Sequence, residues 1–142
     1  MAHKRTASAV WSGNLKQGKG TLSTGSGAIK STPYSFAMRF ENAPGTNPEE
    51  LIAAAEAGCY AMALSADLGE AGFTPDQISA QGTVTFDMPG GKPTLTGLHL
   101  VVTAKVPKID AKKFQEVATA TKAGCPISRA LSIPITLDAK LE

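Results

Sequence analysis

The sequence predicts an α+β fold with antiparallel sheets, a long central helix and a second helix. Two observations predict it. Apolar and polar residues alternate, as in strands, on both sides of a long run of helix-forming residues, and glycine-rich turns separate neighbouring strand patterns. With 142 residues, the chain fits a single domain, 1–142, that buries about two thirds of its unfolded surface.

The N-terminal part of the chain is predicted to form three strands. A strand over residues 7–11 and a returning strand from about Thr21 flank a turn with several glycines, which is typical of a hairpin. The stretch "TPYSFAMRFE" then alternates large apolar and other side chains. This alternation predicts a third strand with Arg39 near its end and pointing away from the aromatic face.

A long helix follows, with clear signals at both ends. Asn47 is the expected N-cap, Pro48 takes the first helical position, and two glutamates follow in the first turn. The helix is expected to end near Ala71, before Gly72. Its alanines and glycines have too little volume to fill a core, so its surface would let another backbone approach closely.

The remainder alternates between strand and helix patterns. Residues 77–88 and 94–106 are predicted to form a second hairpin around "PGGKP". A second helix is expected between Asp110 as its cap and Gly124 at its end, and Pro126 opens a short helical segment. The stretch "SIPITLDAKL" is predicted to close the chain as a strand.

Charge and composition exclude several classes of function. The net charge is +2 with 18% charged residues, and the basic residues are spread along the chain, so we expect no nucleic-acid partner. No apolar run follows the basic residues at the N-terminus, and none approaches the roughly 18 residues of a membrane helix. We therefore expect no membrane association and a cytoplasmic location, where thiols stay reduced.

The two cysteines are the main candidates for chemistry. Cys59 shares a helical stripe with Ile52 and Met62, so it is expected to face inward, as an inert core residue would. Cys125 precedes Pro126 and would be an N-cap, where free backbone N–H groups and the helix dipole stabilise a thiolate. The residues alone therefore favour Cys125 as the more acidic thiol and leave the role of Cys59 open.

Other chemistries have weaker support. A zinc site from the two cysteines with His3 and His99 lacks the short paired spacing of such sites, and His99 is expected on the solvent face of its strand. A ligand pocket could be lined by the aromatic side chains of Trp11, Phe36 and Phe40. Aromatic residues at alternating strand positions, however, favour packing in the core. No metal and no cofactor is predicted.

The sequence motifs around the two cysteines resemble those of a known family. "NPEELIAAAEAGCYAMAL" followed by "KAGCPIS" is similar to the OsmC/Ohr family of thiol peroxidases, and "WSGNLKQGKGTLST", "PYSFAMRFE" and "GEAGFTP" resemble its OsmC branch. The resemblance covers essentially the whole chain. It implies an OsmC-like fold and an intertwined homodimer with active sites at the subunit interface.

Carried over residue by residue, the resemblance implies that Cys59 is the peroxidatic cysteine and Cys125 the resolving one, with Arg39 and Glu49 completing the site. A guanidinium near a sulfur lowers a thiol pKa by roughly 1–3 units. Glu49 stands about 15 Å along the helix axis from Cys59. Our hypothesis is that two copies of this helix pack antiparallel near Ala54, which brings Glu49 of one copy beside Cys59 of the other.

The implied reaction is thiol-dependent reduction of organic hydroperoxides, and more weakly of hydrogen peroxide, in defence against oxidative and osmotic stress. A thiol reductant, for example a dithiol such as a lipoyl group, would reopen the resulting disulfide. Phe40, Leu51, Met62 and Ile127 are candidates for the substrate pocket, with core packing as the alternative. A non-enzymatic redox sensor and a binding module with inert thiols are the competing functions.

Overall fold

The computed structural model describes all residues, 1–142, and contains two three-stranded sheets and four helices. The α+β class predicted from the sequence is confirmed. The chain divides into two compact units, Met1–Leu51 and Ile52–Glu142. The long helix begins in the first unit and continues in the second. The assignment of residues 1–142 to a single domain stays a prediction.

The first unit is a small antiparallel sheet followed by a short helix. Its elements are β1 (Ala7–Ser12), β2 (Lys19–Thr24), β3 (Thr32–Tyr34) and α1 (Phe36–Phe40), and the strands pair in the order β1-β2-β3. The predicted hairpin is confirmed. Gly20 is required on β2 because a Cβ there would lie 2.6 Å from the ring of Trp11 and would also overlap Tyr34.

The predicted third strand is wrong beyond Tyr34, and Arg39 lies on helix α1 instead. The hydroxyl of Ser35 accepts a hydrogen bond from the backbone N–H of Met38 at 3.3 Å and caps the helix. Asn42 then adopts a left-handed φ of 59°, a conformation typical of the residue after a helix. The alternating large side chains of Tyr34, Phe36 and Met38 match a strand pattern. The Ser35 cap nevertheless favours a helix at this position, and α1 forms.

The second unit packs helices on a longer sheet. It contains most of α2 (Pro48–Glu70), then β4 (Gln77–Asp87), β5 (Thr94–Lys105), α3 (Ala111–Gly124), α4 (Pro126–Ala130) and β6 (Ile135–Leu141), with strand order β4-β5-β6. The β4–β5 hairpin is antiparallel as predicted, whereas β5 and β6 are parallel. The two helices between β5 and β6 form the long crossover that a parallel pair requires.

The predicted helix ends are confirmed. The Asn47 side chain accepts from the Glu50 N–H, and the Asp110 side chain accepts from the Lys113 N–H, both at 2.8 Å. Gly72, just after α2, has a φ of 92°, which favours glycine.

All of the buried hydrophobic core belongs to the second unit. Side chains of α2 at intervals of four residues pack with the inner face of β5 and with α3. The core residues are Tyr60, Leu64, Leu68, Leu98, Leu100, Val102, Ala104, Val106, Ile109, Phe114, Val117 and Ala118.

The sequence prediction of which α2 face is buried is wrong. The buried stripe contains Glu56 and Tyr60, whereas Met62 is 80% exposed and Ala54 and Gly58 are also exposed. Both faces of this helix are apolar or small, so the pattern of hydrophobicity could not separate them. By length and mean hydropathy alone α2 could cross a membrane, but its buried stripe packs within the core of the second unit.

Candidate active site

The two cysteines meet in the second unit. The Cys125 thiol lies 2.8 Å from the Cys59 sulfur and donates a hydrogen bond to it, and both thiols are free. Cys59 is on α2, and Cys125 stands where α3 ends and α4 begins. Cys125 is buried and Cys59 is half-buried. Because sulfur atoms in a disulfide are about 2.05 Å apart, the two cysteine sulfurs need to move only a short distance to form a disulfide bond.

The surroundings of Cys59 within this unit favour the protonated thiol. Burial is the main cause that raises the pKa of Cys59, the hydrogen bond with Cys125 raises it further, and the negative charge of Glu56 adds a smaller effect in the same direction. A hydrogen bond from the backbone of Ile127 acts in the opposite direction. A cation beside the sulfur would therefore be needed to favour the thiolate strongly.

Cys125 occupies the N-cap of α4, as the sequence predicted. Its side chain, however, makes no capping hydrogen bond. The backbone hydrogen bond from the first turn of α4, at Ile127, is made to Cys59 instead. The start of α4, which the sequence predicts to favour ionisation of Cys125, therefore donates its backbone hydrogen bond to the sulfur of Cys59.

A buried carboxyl group that sequence reasoning missed stands beside the thiol pair. Glu56 is fully buried, and its Oε1 accepts a hydrogen bond from the Ser128 hydroxyl on α4. Its Oε2 is buried without a hydrogen-bond partner. The available signal was a lone glutamate one turn before Cys59 in a helix of small residues.

The first unit holds a fixed guanidinium. Arg39 donates to Glu49 Oε1 through Nη2 at 2.7 Å and through Nε at 2.9 Å. The Asn47 side chain donates to the Met38 carbonyl at 3.1 Å, which ties α1 to the start of α2. Glu49 is buried, with its Oε2 unpartnered, whereas 37% of the Arg39 side chain is exposed. The structure thus brings together this predicted pair, with the cation accessible.

An aromatic cavity adjoins this guanidinium, and the prediction that Trp11, Phe36 and Phe40 are core residues is wrong. The cavity has a volume of about 220 Å³, and these rings are half-buried on its wall. Phe36 stacks on Phe40 with ring centroids 4.7 Å apart, and Arg39 Cζ lies 5.5 Å from the Phe40 centroid. The lining residues are Trp11, Leu15, Tyr34, Ser35, Phe36, Arg39 and Phe40.

The four predicted pocket residues have different environments. Phe40 lines the cavity beside Arg39, and Ile127 contacts Cys59 through its backbone. Leu51 is half-buried, and Met62 lies on the exposed face of α2.

The alternative sites that the sequence suggested have no counterpart at the cysteines. His99 bonds Thr136 at 2.6 Å and Asp138 at 3.2 Å on β6. No cluster of three or more His, Cys, Asp or Glu residues that could hold a metal ion is present.

Comparisons with known proteins relate the whole chain to one family. The sequence profile of the family described as OsmC-like protein matches residues 40–140. The chain is 48% identical over 140 residues to the peroxiredoxin OsmC of Escherichia coli strain K12, covering 99% of this chain and 97% of that protein. It is also 36% identical over 103 residues to the organic hydroperoxide resistance protein OhrB of Bacillus subtilis, with 72% of each chain covered.

Solved structures of the same kind share the fold. The crystal structure of OhrB of Bacillus subtilis matches with a TM-score of 0.64 at 24% identity, covering 96% of this chain and 98% of that one. An OsmC-like protein of unknown function from Vibrio cholerae matches with a TM-score of 0.78 at 13% identity, covering 97% and 99%. At these identities the likeness concerns the fold alone.

Proposed function

Because the chain belongs to the OsmC-like protein family, we propose that it is a thiol-dependent peroxidase that reduces organic hydroperoxides and, more weakly, hydrogen peroxide. The observation that carries this proposal is the contact between two free thiols at 2.8 Å. The peroxidase class is supported by the relative named peroxiredoxin at 48% identity. The preference for organic hydroperoxides is supported by the name of the relative OhrB. We assign the protein to cytoplasmic defence against oxidative and osmotic stress.

The proposed reaction proceeds in three steps. The Cys59 thiolate attacks the terminal peroxide oxygen and the O–O bond breaks, which gives a Cys59 sulfenic acid and an alkoxide that takes a proton from solvent and leaves as an alcohol. The Cys125 thiol then attacks that sulfur, so that a disulfide forms and water leaves. An external thiol reductant, with a dithiol such as a lipoyl group as the candidate, restores both thiols by exchange.

A cation must accompany Cys59, and we assign this role to Arg39. Burial raises the pKa of Cys59 within its own unit, whereas a guanidinium a few ångströms from a sulfur favours the thiolate. Arg39 is oriented by buried Glu49 and remains partly accessible. In this proposal Arg39 stabilises the thiolate and the developing charge on the peroxide, and Glu49 positions Arg39.

We further propose that a second copy of the chain supplies this pair. The exposed face of α2 presents Ala54, Ala55 and Gly58, which allow two helices to approach closely. The first unit contributes no side chain to the buried hydrophobic core, so it gains burial when a partner covers it. Antiparallel packing of two α2 helices near Ala54 would place Arg39 and Glu49 of one copy at Cys59 of the other.

The aromatic cavity beside Arg39 is suited to the organic part of a hydroperoxide. Its wall includes Phe36 and Phe40, and an apolar substrate group gains free energy when such surface is removed from water. In the proposed dimer, Leu51, Met62 and Ile127 extend this wall towards Cys59. A preference for bulky hydroperoxides over hydrogen peroxide follows.

One experiment tests the proposed reaction directly. The reduced protein is treated with one equivalent of cumene hydroperoxide and analysed by mass spectrometry, and we expect the loss of two hydrogens and a Cys59–Cys125 linkage. Cys59→Ser abolishes peroxide consumption, and Cys125→Ser leaves a sulfenic or over-oxidised Cys59. Thiols that remain reduced would contradict the proposal, and oxidation without turnover in the presence of a dithiol would favour a redox sensor.

A further inference from the structure

The second unit contains one buried charged group that the proposed reaction does not use. Glu56 is fully buried, and one of its oxygens has no hydrogen-bond partner. A desolvated carboxyl group with an unpartnered oxygen destabilises a folded protein. Its position, in a helix otherwise rich in alanine, therefore calls for a reason other than stability.

The hydrogen-bond partner of Glu56 Oε1 indicates why this carboxyl group is buried here. The Ser128 hydroxyl donates to Glu56 Oε1 and so links α4 to α2. Ser128 belongs to the single turn that Cys125 begins, and the backbone N–H of Arg129 donates to the Cys125 carbonyl at 3.0 Å to close that turn. A constraint on Ser128 is therefore a constraint on Cys125.

This inference rests on the proposed peroxidase function. We propose that Glu56 is a positioning residue for the resolving step: by holding Ser128 it fixes α4 on α2 and keeps the Cys125 sulfur against Cys59. The sulfenic acid on Cys59 is then attacked by Cys125 at once. The S–S bond forms, the S–O bond breaks, and the hydroxyl group leaves as water with the thiol proton of Cys125.

The consequence is protection of Cys59 from over-oxidation. A sulfenic acid that is not captured reacts with a second hydroperoxide to give sulfinic acid, which a thiol cannot reduce. The fraction of Cys59 lost in this way depends on how fast Cys125 attacks, and therefore on the position of α4. Glu56 and Ser128 would therefore control the fraction of Cys59 that is over-oxidised, without contacting the peroxide.

Three variants separate the hydrogen bond from the charge. Glu56→Ala and Ser128→Ala each remove the link between α2 and α4. Glu56→Gln keeps an oxygen acceptor for the Ser128 hydroxyl and removes the charge. If the link positions Cys125, the glutamine variant retains capture and the two alanine variants lose it.

The test uses the full-length protein with cumene hydroperoxide from one to many equivalents, and peptide mass spectrometry counts disulfide and sulfinic acid at Cys59. Glu56→Ala and Ser128→Ala are expected to raise the ratio of sulfinic acid to disulfide by about tenfold or more, as for the loss of a hydrogen bond to a charged group. In Ser128→Ala the rate of the first oxidation of Cys59 stays within about twofold of wild type, because the link does not contact the peroxide. Glu56→Ala also removes the negative charge that raises the pKa of Cys59, so its first oxidation is compared with that of Glu56→Gln. Glu70→Ala and Ser79→Ala, at exposed positions, are the matched controls.

The outcomes separate this inference from the function on which it rests. Wild-type protein that forms no disulfide overturns both. A wild-type disulfide with unchanged ratios in Ser128→Ala overturns the positioning role alone, and Ser128→Ala decides the question if Glu56→Ala fails to fold. A Glu56→Gln variant that loses capture as Glu56→Ala does also overturns it, because the charge rather than the link would then be responsible.

Discussion

The two units of this chain differ in what each lacks. The second unit, Ile52–Glu142, has a closed hydrophobic core and carries both thiols, yet burial there raises the pKa of Cys59. The first unit, Met1–Leu51, contributes nothing to the buried hydrophobic core, yet it carries a guanidinium fixed by a buried carboxylate beside an aromatic cavity. In the proposed reaction, the second unit supplies the two thiols and the first unit supplies the cation that stabilises the thiolate.

This difference is the reason for proposing a site that two chains share. Cys59 is half-buried, and the desolvation that accompanies burial disfavours the charged form of a thiol. A small sheet that buries no apolar side chain contributes little stability alone. If the first unit of one copy covers the second unit of another, one contact supplies burial to the sheet and positive charge to the thiol.

The largest expected effect comes from separating the two copies. Ala54→Arg places a long charged side chain on the exposed face of α2, where we propose that two helices meet near Ala54. The variant is expected to be monomeric and to lose activity to background, and amide hydrogen exchange is expected to show lost protection in β1–β3. Sedimentation and peroxide consumption measure these effects.

Ala120→Arg is the matched control, because it adds the same charge to an exposed position of α3. It is expected to leave the assembly and the activity as in the wild type. An active dimer of the Ala54→Arg variant, or a fully active wild-type monomer, would contradict the proposed assembly.

The second effect concerns the charge that the first unit supplies. Arg39→Ala is expected to reduce the rate of reaction with cumene hydroperoxide at neutral pH by about 10- to 1,000-fold, since a nearby opposite charge shifts a pKa by roughly 1–3 units. The rate–pH profile moves to higher pH, because the thiolate is the reactive form and its pKa rises without the cation.

The profile is measured by single-turnover kinetics, and thiolate ultraviolet absorbance follows the same pKa. Arg39→Lys keeps the charge without the paired hydrogen bonds to Glu49 and is expected to be intermediate. An unchanged rate–pH profile in Arg39→Ala would show that the first unit does not influence the ionisation of the reacting thiol.

The third effect concerns the charge within the second unit. Burial is the main cause of the raised pKa of Cys59, and the negative charge of Glu56 contributes the smallest effect. Glu56→Gln removes that charge, so the rate–pH profile should move to lower pH, by less than about one unit. Glu70→Gln, at the exposed end of α2, is the control. A shift of the Glu56→Gln profile to higher pH would contradict the geometry beside Cys59.

A smaller effect is expected at the aromatic cavity. Phe36→Ala removes one wall of the cavity beside Arg39, and the lost apolar contact corresponds to a rise in KM for cumene hydroperoxide of about 3- to 10-fold. The KM for hydrogen peroxide should not change, because that substrate has no organic group. Equal effects on the two substrates would indicate a structural role for Phe36 rather than a binding role.

The sequence predicted the elements better than it predicted their faces. Capping residues such as Asn47 and Asp110 predict the helix ends, because caps depend on local backbone chemistry. The sequence pattern does not identify the inward face of α2, because an alanine-rich helix has apolar residues all round. The sequence pattern predicts a strand at Arg39, because the Ser35 cap is the only local signal that distinguishes α1 from a strand. The link between Glu56 and Ser128 could not be predicted, since it depends on how two distant segments pack.

The smallest expected effect compares one helix cap from each unit. Asn47→Ala and Asp110→Ala each remove a side chain that accepts a backbone N–H, so each should lower the free energy of unfolding by about 1 kcal/mol. Asn47 also donates to the Met38 carbonyl beside Arg39, so its loss should loosen the Arg39–Glu49 pair and reduce peroxidase activity several-fold. Asp110→Ala should leave activity unchanged. Thermal melts and initial rates on both variants measure the difference, and equal activities would mean that the position of Arg39 does not depend on the start of α2.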